Sequence, residues 1–333
     1  MKRLDLEEIR RAARGRWLRT GEPGSVAGVC TDSRAAAADT LFVALRGERF
    51  DGHDFLAEAA AGGCVAAVVR RDSEPRPETA GRFAGGVIGV ADTTRALRDL
   101  AAHHRAASRA AVIAVTGSNG KTTVKGMIHH VLSARLRGTR GPRSFNNHIG
   151  VPLTLLGARE GDDYVVCEIG SSAPGEVAAL AELARPDVAV ITSVGPAHLE
   201  RFGSLERVAA EKASLLGGLA GGGRGVAWAD SEPLDRALRC YDVPLVRFGA
   251  AAAADLRLTG YAAGPEGGRV EVNGRVRFTL PLPGRHNALN ALAAMAVAGR
   301  FGVEPAEAAA ALESFRGVAM RMQRETCGPV TVF

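Results

Sequence analysis

The sequence predicts an α/β chain with a mostly parallel sheet and a few antiparallel strands, and three observations carry that prediction. Short apolar runs without alternation recur, among them Val112-Ile113-Ala114-Val115, Tyr164-Val165-Val166-Cys167 and Val188-Ala189-Val190-Ile191; such runs suit strands covered by helices on both faces. Alanine-rich, amphipathic stretches of helical length stand between them, joined by glycine-containing turns. The length of 333 residues is about twice a typical domain of ~150, so two domains are expected.

In chain order, Leu41-Phe42-Val43-Ala44-Leu45 and Val65-Ala66-Ala67-Val68-Val69 read as buried strands, with a helix over 54–61 between them. Residues 71–77 form a loop and residues 93–107 an amphipathic helix. The strand at 112–115 leads through a glycine turn into a helix over 122–136. Helices over 204–219 and 287–298 would cover the later strands. Residues 256–280 read as short antiparallel strands, with Asn273-Gly274 a hairpin turn. Val330-Thr331-Val332-Phe333 reads as a strand just begun.

Composition excludes several classes. The chain is 46% hydrophobic and 23% charged, and no apolar run reaches the roughly 18 residues of a membrane span. Acidic residues within Met1-Lys2-Arg3-Leu4-Asp5-Leu6-Glu7-Glu8 occupy the place of a signal's apolar segment, so a cytoplasmic location is expected. The net charge of +6 suits anionic ligands, but 5% aromatics leave little stacking surface, and nucleic acid is not expected as a partner. Cys30, Cys64, Cys167, Cys240 and Cys327 are odd in number and widely spaced, which indicates neither a disulfide framework nor a zinc site.

The most informative segment is Thr116-Gly117-Ser118-Asn119-Gly120-Lys121-Thr122-Thr123, between a predicted strand and a predicted helix. Backbone amides at a helix start cradle phosphate, a lysine neutralises the outer oxygens, and a threonine hydroxyl completes a Mg²⁺ shell. Val115 stands where the general phosphate-loop pattern has its first glycine. No N-K-x-D guanine motif occurs, so an adenine nucleotide is favoured. Glu168, at a strand's carboxyl end, is placed beside the loop to hold Mg²⁺; a helix-facing surface glutamate is the lesser reading by position alone. His198 follows the next strand and could ligate a metal, although a loop histidine alone is more often solvated. Lys212 alone reads as a solvated helix lysine, and His103-His104 and His129-His130 as surface residues. Thr31-Asp32-Ser33-Arg34 and Arg46-Gly47-Glu48-Arg49-Phe50-Asp51-Gly52-His53 are polar turns that could bind a nucleotide or sugar phosphate, or simply cap and turn.

Together these segments resemble the Mur ligases, the ATP-dependent amino-acid ligases of peptidoglycan precursor synthesis. The resemblance spans nearly the whole chain and adds Asn146-Asn147-His148-Ile149-Gly150-Val151-Pro152-Leu153-Thr154-Leu155-Leu156, Ala197-His198-Leu199-Glu200-Arg201-Phe202-Gly203-Ser204, Gly284-Arg285-His286-Asn287-Ala288-Leu289-Asn290 and Met320-Arg321-Met322. The Asn146 to Leu156 run discriminates within the family: it points to the branch that joins D-Ala-D-Ala to UDP-N-acetylmuramoyl tripeptide and away from both the ligase adding the third peptide residue and a folylpolyglutamate-type relative. A non-catalytic ATP-binding module is the alternative from another class.

The resemblance implies three parts, a UDP-substrate domain over 1–108, a phosphate-loop ATP domain over 109–317 and a stub of a third domain over 318–333. It implies ATP and Mg²⁺ as cofactors, with Gly117, Ser118, Asn119, Gly120, Lys121, Thr122 and Thr123 on the phosphates and Asn287 and Asn290 on the adenosine side. Thr122 and Glu168 would hold a first Mg²⁺. His198 and Lys212, the latter as a carbamate, would hold a second. Arg321 would reach the phosphates from a hinge. Ser33, Arg34, Gly47 and His53 would take the UDP portion, and Asn146 and Asn147 its sugar and diphosphate. Gly170-Ser171-Ser172-Ala173 stands where relatives often carry bulkier residues. ATP would phosphorylate the peptide carboxylate and an amine would displace the phosphate. Family members continue into a third α/β domain that takes the amine, D-Ala-D-Ala, so this chain is expected to bind ATP and the UDP-linked tripeptide, to ligate weakly or not at all, and to be a monomer.

Overall fold

The computed structural model describes residues 3–318, 325–327 and 330–332. The chain divides into two units, Met1–Ser108 with His148–Glu160, and Arg109–Asn147 with Gly161–Phe333.

The first unit runs β1 (Leu4–Asp5), α1 (Leu6–Ala12), β2 (Arg16–Thr20), β3 (Ser25–Val26), β4 (Gly28–Cys30), β5 (Thr40–Val43), α2 (Leu56–Ala61), β6 (Ala66–Arg70), α3 (Pro77–Ala80), β7 (Gly86–Val90) and α4 (Thr93–Ala107). A sheet in the order β2-β7-β6-β5-β4 is parallel except where β2 meets β7. Its apolar side chains, Phe42, Ala67, Val69 and Val87, close over Leu56, Ala59 and Phe83 in one core. α4 begins where the Asp92 carboxylate accepts the amides of Thr94 at 2.8 Å and Arg95 at 3.0 Å, a side-chain N-cap. His104, read as a surface residue, is in fact buried, with Nε2 3.2 Å from the Ala158 carbonyl. That contact lies in residues 148–160, which the sequence reading left with the central domain and which pack in the first unit.

The second unit runs β8 (Ala111–Thr116), α5 (Lys121–Leu132) and β9 (Gly138–Arg140), passes α6 (Gly150–Leu156) to the first unit, and resumes at β10 (Tyr164–Glu168). There follow α7 (Glu176–Ala184), β11 (Val188–Ile191), α8 (Leu199–Phe202), α9 (Leu205–Ala213), β12 (Arg224–Trp228), α10 (Glu232–Leu238), β13 (Leu245–Gly249), β14 (Leu256–Gly264), β15 (Gly267–Val272), β16 (Val276–Leu280), α11 (Arg285–Arg300) and α12 (Pro305–Leu312). β17 (Glu325–Cys327) and β18 (Val330–Val332) form a separate antiparallel pair. The large sheet has the order β16-β15-β14-β13-β12-β11-β8-β10-β9. It is parallel from β14 to β9, and β14, β15 and β16 pair antiparallel. The turn Asn273-Gly274 has φ of 53° and 67°, the left-handed pair that a tight hairpin turn uses.

Two features place the site. β8 lies between β10 and β11, with Ile113 opposite both Val166 and Val188, so the chain leaves the carboxyl end of β8 at the point where strand order reverses and ligands of open α/β sheets bind. Behind it α5 packs against α11, and Val124, Met127, Ile128, Ala291 and Met295 join one apolar core with the strands. The helix expected over 204–219 is shorter. α9 ends at Ala213 and tightens into a 3₁₀ turn over Ser214–Gly218, where the Ser214 hydroxyl donates to the Glu211 carbonyl at 2.7 Å and Gly217-Gly218 weaken helix continuation.

Candidate functional site

The loop between β8 and α5 is shaped by two glycines. Gly117 has φ 147°, and a Cβ there would stand 2.1 Å from Thr192 Oγ1. Gly120 has φ 82°, and its Cβ would meet Asn290 Oδ1 at 2.4 Å. Neither position admits a side chain without movement. The loop is braced from the end of β11. Ser118 N–H donates to the Ser193 carbonyl at 2.9 Å, and Asn119 N–H donates to Ser193 Oγ at 2.9 Å. Gly195 N–H donates to Ser118 Oγ at 3.0 Å, and that hydroxyl donates to the Gly195 carbonyl at 3.1 Å. Thr192 and Ser193 were not singled out from sequence; short polar residues just after a buried apolar run were the available signal.

The first intrahelical bond of α5 is Val124 N–H to the Gly120 carbonyl, at 2.8 Å. The amides of Thr122 and Thr123 therefore have no acceptor within the helix, and the helix dipole adds positive potential there. Lys121 curls back over the loop, its Nζ donating to the Gly117 carbonyl at 2.7 Å and the Ser118 carbonyl at 3.4 Å.

Glu168, at the end of β10, is buried rather than on the surface. Its Oε2 accepts from Thr122 Oγ1 at 2.9 Å and faces Lys125 Nζ at 3.2 Å. Its Oε1 accepts from Asn146 Nδ2 at 2.9 Å. Lys125, 2% exposed, also donates to the Arg143 carbonyl. Burial pushes its ammonium below the ordinary lysine range, against the pull of the Glu168 carboxylate. Sequence reading missed Lys125. The signal was a second lysine one turn after Lys121, on the stretch Val124, Gly126, Met127 and Ile128 that is otherwise apolar.

A hydroxyl and a carboxylate oxygen at this spacing are the hard donors Mg²⁺ selects, and nucleotide sites complete its shell with phosphates and water. The donor set fits.

Lys212, on α9, is also buried, and Nζ donates to Ser171 Oγ at 2.6 Å. Burial, reinforced by the Lys121 ammonium, pushes it down to about 8, so the neutral amine, the form that adds to CO₂, is present near neutral pH. Its neighbour Glu211 accepts from Gly175 N–H and Val177 N–H, each at 2.8 Å, and so caps α7. His198 precedes α8 with φ 53°; its imidazole is exposed and makes no hydrogen bond among the described residues.

The depressed lysine gives a stability prediction. A group that is ordinarily at 10.5 and folds at about 8 binds more protons unfolded than folded between those values, so the native state gains stability as pH rises through that window. In metal-free, CO₂-free buffer, Lys212→Met is expected to gain about 2 kcal/mol at pH 7, the released desolvation less the lost hydrogen bond. That advantage should shrink by pH 10. Urea unfolding at both pH values checks it; a loss of stability at pH 7 refutes it.

Beside the loop, a cavity of about 720 Å³ is lined by Asn119, Gly120, Trp228, Leu282, Asn287 and Asn290, among others. Asn287 and Asn290 are buried; Asn290 Nδ2 donates to Asn287 Oδ1 at 3.2 Å and Asn287 Nδ2 to the Pro283 carbonyl at 2.7 Å. Trp228 and Leu282, unnoticed in sequence, give it flat apolar walls.

The expected UDP residues lie in the first unit. Ser33 Oγ donates to Glu58 Oε2 at 3.0 Å, and Arg34 holds Asp32 through two nitrogens, at 2.9 and 2.6 Å. Gly47 N–H donates to the Phe50 carbonyl at 2.9 Å. His53 has both ring nitrogens engaged, Nδ1 with Asp51 and Nε2 accepting from Arg70 N–H at 2.9 Å, an arrangement that holds the turn. Asn147 is exposed. Arg321, with Met320 and Met322, lies outside the described residues.

Residues 115–298 match the Mur ligase middle domain and residues 25–105 the Mur ligase family catalytic domain. The UDP-N-acetylmuramoyl-tripeptide--D-alanyl-D-alanine ligase of Bacillus subtilis is 39% identical over 297 residues, which are 89% of this chain and 63% of that protein. The chain thus spans a little under two thirds of that relative's length. A crystal structure of MurF from Acinetobacter baumannii superimposes with a TM-score of 0.86 at 29% identity, over 99% of this chain and 72% of that one. MurF ligase from Thermotoga maritima in complex with ADP gives 0.76 at 28% identity, over 91% and 69%. With the middle-domain match covering more than half its length, on the fold and loop geometry described above, this chain belongs to the Mur ligase family.

Proposed function

We propose that these residues form the nucleotide-sugar-binding and ATP-using parts of a ligase that adds D-Ala-D-Ala to UDP-N-acetylmuramoyl tripeptide. The observation that carries the reading is the buried Glu168 carboxylate 2.9 Å from the Thr122 hydroxyl at the start of α5, with the Trp228-lined cavity adjoining the same loop. The relatives that support it are named for that reaction.

The peptide carboxylate is a poor electrophile. Transfer of the γ-phosphoryl group to one of its oxygens expels ADP and leaves an acyl phosphate. The amine of D-Ala-D-Ala then attacks the acyl carbon, phosphate departs with its bonding pair, and the amine's proton is lost. Amides of the α5 start hold the phosphates, and Lys121 exchanges its carbonyl partners for phosphate oxygens. Asn287 and Asn290 face the adenosine. Mg²⁺ supplies charge neutralisation between the anionic nucleophile and the triphosphate. Thr122 and Glu168 hold the first ion, His198 and carbamylated Lys212 the second. Ser33, Arg34, Gly47 and His53 build the UDP turn. Asn147 faces the sugar diphosphate, and Asn146 fixes Glu168.

The test combines titration with trapping. Calorimetry is expected to show binding of Mg-ADP and of UDP-N-acetylmuramoyl tripeptide, with the first lost in Lys121→Ala and the second kept. ATP, Mg²⁺, tripeptide and hydroxylamine together should yield the tripeptide hydroxamate by mass spectrometry. Nucleotide binding with neither tripeptide binding nor hydroxamate would make the chain a nucleotide-binding module instead.

A further inference from the structure

Lys125 has no part in the chemistry above, yet it is an ammonium buried against the carboxylate that the cation needs. Its Nζ lies 3.2 Å from Glu168 Oε2, the same oxygen that accepts from Thr122 Oγ1. The other carboxylate oxygen is taken by the Asn146 amide, which offers a hydrogen and no lone pair. The other partner of the ammonium is the carbonyl of Arg143, a residue with φ 41°, a backbone conformation that costs free energy for a side chain of this size. The loop running to Asn146 and Asn147 is therefore held in place by the same lysine that holds the carboxylate.

The charges around the carboxylate follow from these contacts. Glu168 contributes one negative charge and Lys125 one positive at the same oxygen. Lys121 lies on the adjoining loop and Arg140 adds positive potential at Lys125, while Glu176 and Glu211, which accept backbone amides, keep their charge and direct it at Lys212. Before nucleotide arrives, a dication meets no net negative charge there. Polyphosphate brings that charge, and the carboxylate then becomes one ligand among several oxygens.

We propose that Lys125 is a positioning residue that makes cation binding conditional on nucleotide, acting as a resident counter-ion to Glu168 until the phosphates outweigh it. The proposal rests on the reading of Glu168 as a cation ligand.

Mn²⁺ is the probe, its free concentration read by electron paramagnetic resonance with and without ADP. Wild-type chain is expected to bind Mn²⁺ weakly alone and at least about ten-fold more tightly with ADP. Lys125→Met should bind Mn²⁺ alone about ten-fold more tightly than wild type while its Mn²⁺ affinity with ADP bound changes little, so the Mn²⁺–ADP coupling falls to match. Lys125→Arg, which keeps the charge, should retain wild-type coupling. If Lys125→Met loses its cooperative thermal transition, Lys125→Gln carries the same comparison. Equal Mn²⁺ affinity of the wild-type and neutral variants without ADP overturns the role of Lys125. Glu168→Gln separates the two claims: coupling that survives it overturns Glu168 as a ligand, whereas coupling lost there and unchanged in Lys125→Met overturns only the inference.

Discussion

Glu168→Ala is expected to cost about 3–5 kcal/mol of stability, the usual consequence of leaving one member of a buried ion pair alone. Both side chains of the pair are 2% exposed, so water cannot replace the carboxylate around Lys125. The loss also strips an acceptor from Thr122 and from Asn146. Urea unfolding measures the effect, and the double variant Glu168→Ala/Lys125→Met tests its cause. If the penalty is the stranded ammonium, the double variant recovers most of it, since a methionine of similar length leaves no buried charge. A double variant no more stable than Glu168→Ala would assign the cost to cavity formation at the end of β10 instead. Cation-dependent nucleotide binding should be absent from both, so stability and function separate in the double variant.

Gly120→Val should weaken ADP binding about 100-fold, or about 2.8 kcal/mol, and lower stability by about 1–3 kcal/mol. Two strains act together. The φ of 82° is one a β-branched residue resists, and the new Cβ would lie 2.4 Å from Asn290 Oδ1. Asn290 must leave its bond with Asn287, which opens the polar end of the cavity, or the loop must shift and misdirect the amides of α5. Calorimetry with ADP and a thermal melt check both parts. As a control, Gly274→Ala, at φ 67° with nothing within 4 Å of its Cβ, shares the backbone strain without the collision; it should lose stability and keep ADP affinity. Equal loss of affinity in the two variants would refute the steric argument.

Local information alone determined much of this protein. Unalternating β-branched runs at 112–115, 164–167 and 188–191 became the central parallel strands because burial on both faces demands apolar residues at every position. The glycines and lysine of 117–121 announced a phosphate loop because left-handed backbone and a cation at a helix start have few other uses together. Glu168 was legible as the polar residue ending such a run. What remained hidden depends on partners distant in the chain. Lys125 drew no reading, and Lys212 taken alone read as a solvated helix lysine; folding buries one against a strand end 43 positions away and the other against Ser171, 41 positions away. The brace from Thr192 and Ser193 spans more than 70 residues, and the cavity draws Trp228, Leu282 and Asn290 to the loop at Asn119. Sequence sets which segments form strands and helices because backbone geometry and side-chain periodicity are local. Only the tertiary structure decides which charges meet, because the cost of burying an ion depends on the neighbours that packing supplies.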